Sequence, residues 1–421
     1  MRIVGDMRQL SVAGTADRVR KPSCLMPIAL AAAGLGLQSL LLAAPAVMAM
    51  PPSMPAAALP RTSMPAMAPA AEPATVHEIA VFGTDNRTKL PKRLEALRNS
   101  IGLLYNERSR TVCTAFCIAD DVLATASHCL FRTRGETPPP ADSFYFSRPG
   151  TAHPNVRLAG SASRAAAQQI LAGTIGISTK PPIDAARDWA MLKLQSPACR
   201  GRTLGIQPLT PDDIEREASA GKLYQAAYHR DFGRWTMAYS EPCMGGRRVE
   251  GAGGPVTERD FTDSLNLVLH TCDTGGASSG SPLLIETPAG PQVVAINVGT
   301  FVQSRVVLEE GVVVRRAPAK PVANTAVSAV AFASRLERFR SAIILTARAE
   351  VLELQHRLSA LNLLTGLLDG RFDIKLRTAI EAYESQQGMP VMGLPTRALL
   401  QTLQSAAAVP ARPNASAPRS R

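Results

Sequence analysis

Gly276-Ala277-Ser278-Ser279-Gly280-Ser281-Pro282 is the stretch on which the reading of this chain turns. Glycines and serines closed by a proline form a tight turn, not a helix or strand. Backbone N–H groups can converge there on one point, beside the Ser279 hydroxyl. A serine hydroxyl is a weak nucleophile until a base takes its proton, and an imidazole near neutrality suits that task. Two other stretches supply the missing parts. Thr125-Ala126-Ser127-His128-Cys129 places a histidine after the apolar run 122–126. Arg187-Asp188-Trp189-Ala190 places a carboxylate just before an apolar run that can shield it. His128 is read as base, Asp188 as orienting acid and Ser279 as nucleophile, with the N–H groups of Ala277 and Ser279 as oxyanion donors.

With 421 residues the chain has room for two or three domains, and its 46% hydrophobic content suits globular cores. Residues 1–49 read as a signal peptide: Arg18, Arg20 and Lys21 precede an apolar stretch over 25–45, and Val47-Met48-Ala49 suits cleavage near Ala49. An uncleaved anchor is the alternative, because the apolar stretch approaches spanning length. If the signal is cleaved, no integral membrane domain is expected. Residues 50–76 form a Pro/Ala-rich linker. The formal charge is +12, and about +9 remains without residues 1–49. That balance favours anionic surroundings. No stripe of aromatic and basic residues accompanies it, so a nucleic-acid partner is not expected.

Cys113, Cys117, Cys129, Cys199, Cys243 and Cys272 remain after the signal, enough for three disulfides in an exported chain. Cys129 directly follows His128, where two ligands would crowd, so neither a metal nor a cofactor is expected. Short apolar runs between Gly, Pro and Asp turns (122–126, 190–194, 223–227, 265–269, 283–285, 293–298, 311–314) imply an all-β region over 77–333. Helices are expected at 161–171 and 211–218. Phe332, Leu336, Phe339 and Ile343 imply a connecting helix over 334–345. In 346–405 three amphipathic helices follow, marked by Val351, Leu354, Leu358 and Leu361, then Leu376, Ile380 and Tyr383, then Ala398, Leu399 and Leu403. Residues 406–421 read as a disordered tail.

The boxes around His128, Asp188 and Ser279 resemble the trypsin/chymotrypsin-like serine proteases, particularly their bacterial, glutamyl-endopeptidase-like branch. The resemblance implies a mainly β protease domain of two six-stranded barrels with the site in the cleft, followed by a small three-helix domain. It also implies a Cys113–Cys129 bond, with Cys117–Cys129 as rival. Alanine at 277 departs from the usual glycine, and Ser278 cannot make the ion pair that activates zymogens of the family. Asp273, six residues before Ser279, reads as a loop-stabilising carboxylate or as the base of a pocket for Arg or Lys. His270 could receive an acidic side chain, while Asn297, Gly299 and Thr300 could line the pocket. Residues 351–403 resemble the small peptidoglycan-binding domain, with Asp373 and Leu376 in place of its usual Gly and Thr. The expectation is a periplasmic or secreted, wall-associated serine endopeptidase that acts on proteins or peptides through an acyl-enzyme. A catalytically inactive wall-binding protein and a hydrolase of peptidoglycan stem peptides are the alternatives.

Overall fold

Strands form where β-branched, aromatic and small apolar residues gather between turns, and here two sets of them close on themselves. The computed structural model describes residues 80–408, apart from 133, 179–181, 234, 250–259, 304–305, 310–311 and 317–319, together with the backbone of residues 2–4. The expected signal peptide, linker and tail lie almost wholly outside the described residues.

The first sheet holds β1 (Ile101–Asn106), β2 (Val112–Ala119), β3 (Val122–Thr125), β4 (Phe144–Ser147), β5 (Val156–Arg157), β6 (Ile170–Ala172) and β7 (Ala190–Lys193), in the order β5-β4-β1-β2-β3-β7-β6. A bridge between Leu158 and Leu194 joins the end of β5 to that of β7. The Gln195 N–H donates to Arg157 O and the Ala159 N–H to Lys193 O, both at 2.9 Å. Six strands thus form a barrel, and β6 hangs on its outside. Phe116, Phe144 and Phe146 are fully buried, each contributing roughly 2–3 kcal/mol of apolar burial.

The second sheet adds β8 (Gly205–Ile206), β9 (Leu223–Tyr228), β10 (Met237–Ser240), β11 (Gly245–Gly246), β12 (Leu267–His270), β13 (Pro282–Thr287), β14 (Gly290–Gln303) and, past a separate hairpin of β15 (Val306–Glu309) and β16 (Val312–Arg316), β17 (Lys320–Ser328). Its main path is β11-β12-β17-β14-β13-β9-β10. The Cys243 N–H donates to Leu223 O at 2.9 Å, which closes the β11 end onto β9. This is the second six-stranded barrel. Beyond Gly299, β14 pairs on one side with β17, and its other edge takes Arg2–Val4 as an antiparallel partner.

Helix α1 (Pro211–Ser219) starts with a capping box between Thr210 and Asp213. After α2 (Leu336–Ser341) come α3 (Arg348–Ala360), α4 (Ile374–Gln386) and α5 (Arg397–Ala408). These last three pack around Val351, Leu354, Leu358, Leu376, Ile380, Tyr383 and Leu403. Asp373 caps α4 by accepting from the Leu376 N–H at 2.8 Å, and Leu376 itself is core. Asn362 takes a φ of +58°, in the left-handed region that Asn tolerates. The three-helix domain is seated on the first barrel. Met392 and Leu394 join the barrel's apolar cluster. Arg377, buried and stacked 5.2 Å from the Phe372 ring, donates to Ile170 O at 3.0 Å.

Three expectations are corrected. Residues 161–171 are not a helix: turns lead into a short 3-10 segment, Ala166–Gln169, and Ile170 must extend to pair with Leu192. Tertiary pairing overrides helix propensity there. The connecting helix is only α2, because Ile344 leaves it to bridge Thr396, and Ile343 is 62% exposed. Leu361 caps the end of α3 and is exposed, as is Leu265, which precedes β12. The strand expected over 311–314 forms as Val312–Arg316, in a hairpin apart from the two sheets.

Three disulfides join Cys113 to Cys129, Cys117 to Cys199 and Cys243 to Cys272, so the rival Cys117–Cys129 pairing is not formed. The first closes 16 residues and the second 82. Loop entropy then ranks them: replacing Cys117 and Cys199 by serine should cost about 4.5 kcal/mol of unfolding free energy, against about 3 kcal/mol for Cys113 and Cys129. Urea unfolding of the two double variants without reductant measures the order.

Candidate active site

Cys113 and Thr114, neighbours on β2, hold two turns that lie far apart in the sequence. Cys113 is bonded to Cys129, which fixes the 3-10 turn Ser127–Cys129 and with it His128. The Thr114 N–H donates to Ser279 O and its Oγ1 donates to Ala277 O, each at 2.9 Å. Gly280 seals the fit: a Cβ there would come within 2.1 Å of Thr125 Oγ1 and 2.4 Å of Thr114 O, and its φ is +82°. The second barrel's Ser279 turn is thereby pressed onto the first barrel's His128 turn.

Asp188 enters at the start of β7 and is 1% exposed. A carboxylate so placed needs partners. It accepts from Ser127 Oγ at 2.8 Å, from the His128 N–H at 2.9 Å, and pairs with His128 Nδ1 at 2.6 Å. A proton on Nδ1 facing Asp188 leaves Nε2 as an acceptor. Burial alone would push the His128 ionisation down. The charge and hydrogen bond of Asp188 outweigh it and hold the ring above the ordinary histidine value. The His128 side chain is 13% exposed. Ser279 is part-exposed, and its hydroxyl donates to Val298 O at 3.0 Å rather than to the ring. His128, Cys113 and Cys129 bring potential ligand atoms within 4.8 Å of one another. Both sulfurs are spent on their mutual bond, so only one nitrogen is left for an ion.

Ala277 has a φ of +77°, a conformation that costs an L-residue roughly 1–2 kcal/mol. Gly276 O accepts from the Arg230 N–H at 2.8 Å. Across a trans peptide the carbonyl and the following N–H point in opposite directions, so the Ala277 N–H is turned away from Arg230. Among the described residues neither the Ala277 nor the Ser279 N–H has an acceptor, whereas the intervening Ser278 N–H donates to Gly275 O at 3.1 Å.

The remaining candidates divide. Gly299 and Thr300 are part-exposed on β14, where Thr300 pairs with Val4. His270 and Asn297 are buried behind the Ser279 turn, which corrects the expectation that they meet substrate. Asn297 Nδ2 donates to Ser278 O and Oγ at 3.1 and 3.3 Å, and Asn297 O accepts the Gly280 N–H at 2.8 Å. Its Oδ1 therefore faces His270 Nε2, 3.0 Å away. Burial lowers the His270 ionisation to about 4, so the ring is neutral and donates that bond. Asp273, 1% exposed, spends one carboxylate oxygen on the Phe82 N–H and the other on the Asn86 N–H, both at 3.0 Å. Of its two readings the loop-stabilising one fits. Thr114 and Ser127 carried no local signal: Thr114 meets its partner Ala277 163 residues away, and Ser127 meets Asp188 61 residues away.

Residues 347–403 match the family model described as "Putative peptidoglycan binding domain". No curated protein sequence matches the chain. Among solved structures the chain is similar to a Glu endopeptidase in complex with MPD, at 18% identity and a TM-score of 0.41, over 61% of this chain and 98% of that one. It is also similar to the thermostable serine protease AL20 from an extremophilic microorganism, at 14% and 0.34, over 55% and 91%. The protease Anisep from Arthrobacter nicotinovorans gives 14% and 0.37, over 58% and 96%. Two six-stranded barrels followed by a three-helix domain agree with the mainly β architecture and small helical domain that the motifs implied.

Two substitutions test this description of the turn. Ala277→Gly removes the left-handed penalty at some cost in chain entropy and should stabilise the fold by up to about 1 kcal/mol. Asp273→Ala orphans two buried N–H groups and should destabilise it by about 3 kcal/mol. Chemical denaturation of both variants checks the signs.

Proposed function

We propose that this protein is a serine endopeptidase. The observation that carries the reading is the short His128–Asp188 pair, set beside a serine turn whose two flanking N–H groups are free. Ser279 Oγ attacks the peptide carbonyl as His128 Nε2 takes its proton. The tetrahedral oxyanion is held by the Ala277 and Ser279 N–H groups. Collapse gives an acyl-enzyme as His128 protonates the leaving amine, and water then releases the acyl group by the reverse proton path. At rest the Ser279 hydroxyl points to Val298 O, so a turn about its χ1 precedes attack. Such contacts tighten on substrate binding. Removal of the expected signal peptide frees the β14 edge at Thr300 that Arg2–Val4 occupies, for an extended peptide added as a strand. Because the Asp273 carboxylate is already satisfied, we infer no preference for Arg or Lys at the cleaved bond.

Three disulfides suit an oxidising, exported setting. The three-helix domain supports placement at the cell wall, with peptidoglycan as its ligand and proteins or peptides as substrates. Side-by-side incubation with casein and with muropeptides separates protein cleavage from stem-peptide cleavage.

The pH profile tests the proposed base. His128 acts unprotonated, so kcat/KM should rise with pH through one ionisation lying above the ordinary 6.5. The pair's contribution to stability runs the other way: it is present in full below the unfolded ionisation and is lost as pH rises through the folded one. In Asp188→Asn the Asn carbonyl stays with the Ser127 hydroxyl and the His128 N–H, so its NH2 donates to Nδ1 and holds the other tautomer, and kcat/KM should fall about 10⁴-fold. A wild-type profile flat between pH 5 and 9, or full activity in Asp188→Asn, contradicts the assignment.

A further inference from the structure

Behind the Ser279 turn lies a buried arginine held between two part-exposed carboxylates, which the proposed chemistry does not touch. The Arg87 side chain is 3% exposed. Its Nε and Nη2 donate to Asp85 at 2.9 and 2.7 Å, and its Nη1 and Nη2 donate to Asp231 at 3.2 and 2.6 Å. Planar, forked guanidinium–carboxylate bonds of this kind fix direction as well as charge. This arrangement is built against the turn itself. A Cβ on Gly275 would fall 2.3 Å from Asp231 Oδ1 and 2.8 Å from Arg87 Nη1, so the backbone at 275 rests directly on the two charges. Arg230, the residue before Asp231, is the one whose N–H holds Gly276 O at 2.8 Å. That carbonyl shares a peptide with the Ala277 N–H. Without its anchor, the peptide between two flexible glycines and a strained alanine has little to keep it from rotating.

The geometry points to Arg87 as a positioning residue for the oxyanion site: it fixes Asp231, which keeps the Arg230–Gly276 bond in place, which in turn aims the Ala277 N–H. The inference rests on the serine-protease reading above. Its effect falls on the transition state, since the oxyanion exists only there.

The test compares the full chain with Arg87→Ala, Arg87→Lys and Asp231→Ala on a cleaved peptide substrate. In Arg87→Ala, kcat should fall about 10- to 100-fold, a part of what losing a whole oxyanion donor costs, with KM within about twofold. Affinity for a peptide boronate, which mimics the tetrahedral state, should fall in step with kcat, while affinity for the product peptide stays unchanged. Arg87→Lys keeps a cation but loses the fork and should fall between. Adding Asp231→Ala to Arg87→Ala should cost little more, because the two act as one unit. A folded Arg87→Ala with unchanged kcat, or with kcat and product affinity falling together, overturns the inference. Should Arg87→Ala not fold, Arg87→Lys decides by the same split. An active wild type with an unaffected variant sinks this inference alone, whereas a wild type inert toward every peptide and toward fluorophosphonate sinks the protease reading and this one with it.

Discussion

One strand fixes the geometry on which everything else here depends. Cys113 carries the disulfide that locks the His128 turn, and Thr114, next along β2, carries both hydrogen bonds that seat the Ser279 turn. The proposed base and nucleophile, His128 and Ser279, come from different barrels and lie 151 positions apart in the chain. A proton can pass between them only if those barrels keep a fixed separation. A covalent bond on one residue and two hydrogen bonds on the next are a direct way to keep it. Gly280 is required at the contact, because the fit against Thr114 and Thr125 leaves no room for a side chain.

The polar groups behind the site are arranged in layers. Asp188 spends three bonds on the His128 turn. Asn297, its side-chain oxygen held by a neutral His270, spends its side-chain NH2 and its backbone carbonyl on the Ser279 turn. Asp273 spends both carboxylate oxygens on the segment at Phe82 and Asn86. Each buried group is used to hold backbone in place, which is what a preorganised site demands. The strained Ala277 belongs to the same pattern: the surroundings hold a backbone conformation that alanine alone would not favour.

Much of this was legible in the sequence, for a physical reason. The boxes around His128, Asp188 and Ser279 are local, and local chemistry survives without a fold. The helices at Val351, Leu376 and Leu399 follow from a 3.6-residue period. Other features depend on partners far along the chain. The Ala-rich stretch over 161–171 looks helical until Ile170 is required to pair with Leu192. Asp273 and His270 lie close to Ser279 in sequence, yet spacing alone cannot tell a pocket wall from a buried brace. Arg87 and Asp231, 144 residues apart, gave no signal at all.

The central claim is that Ser279 is an activated nucleophile. Intact-mass measurement after exposure to a fluorophosphonate, followed by peptide mapping, tests it most directly. The account predicts a single adduct on Ser279, formed quickly in the wild type, slowed sharply in Asp188→Asn and absent in Ser279→Ala. A folded wild-type protein that gains no adduct, or carries it on another residue, would contradict the account.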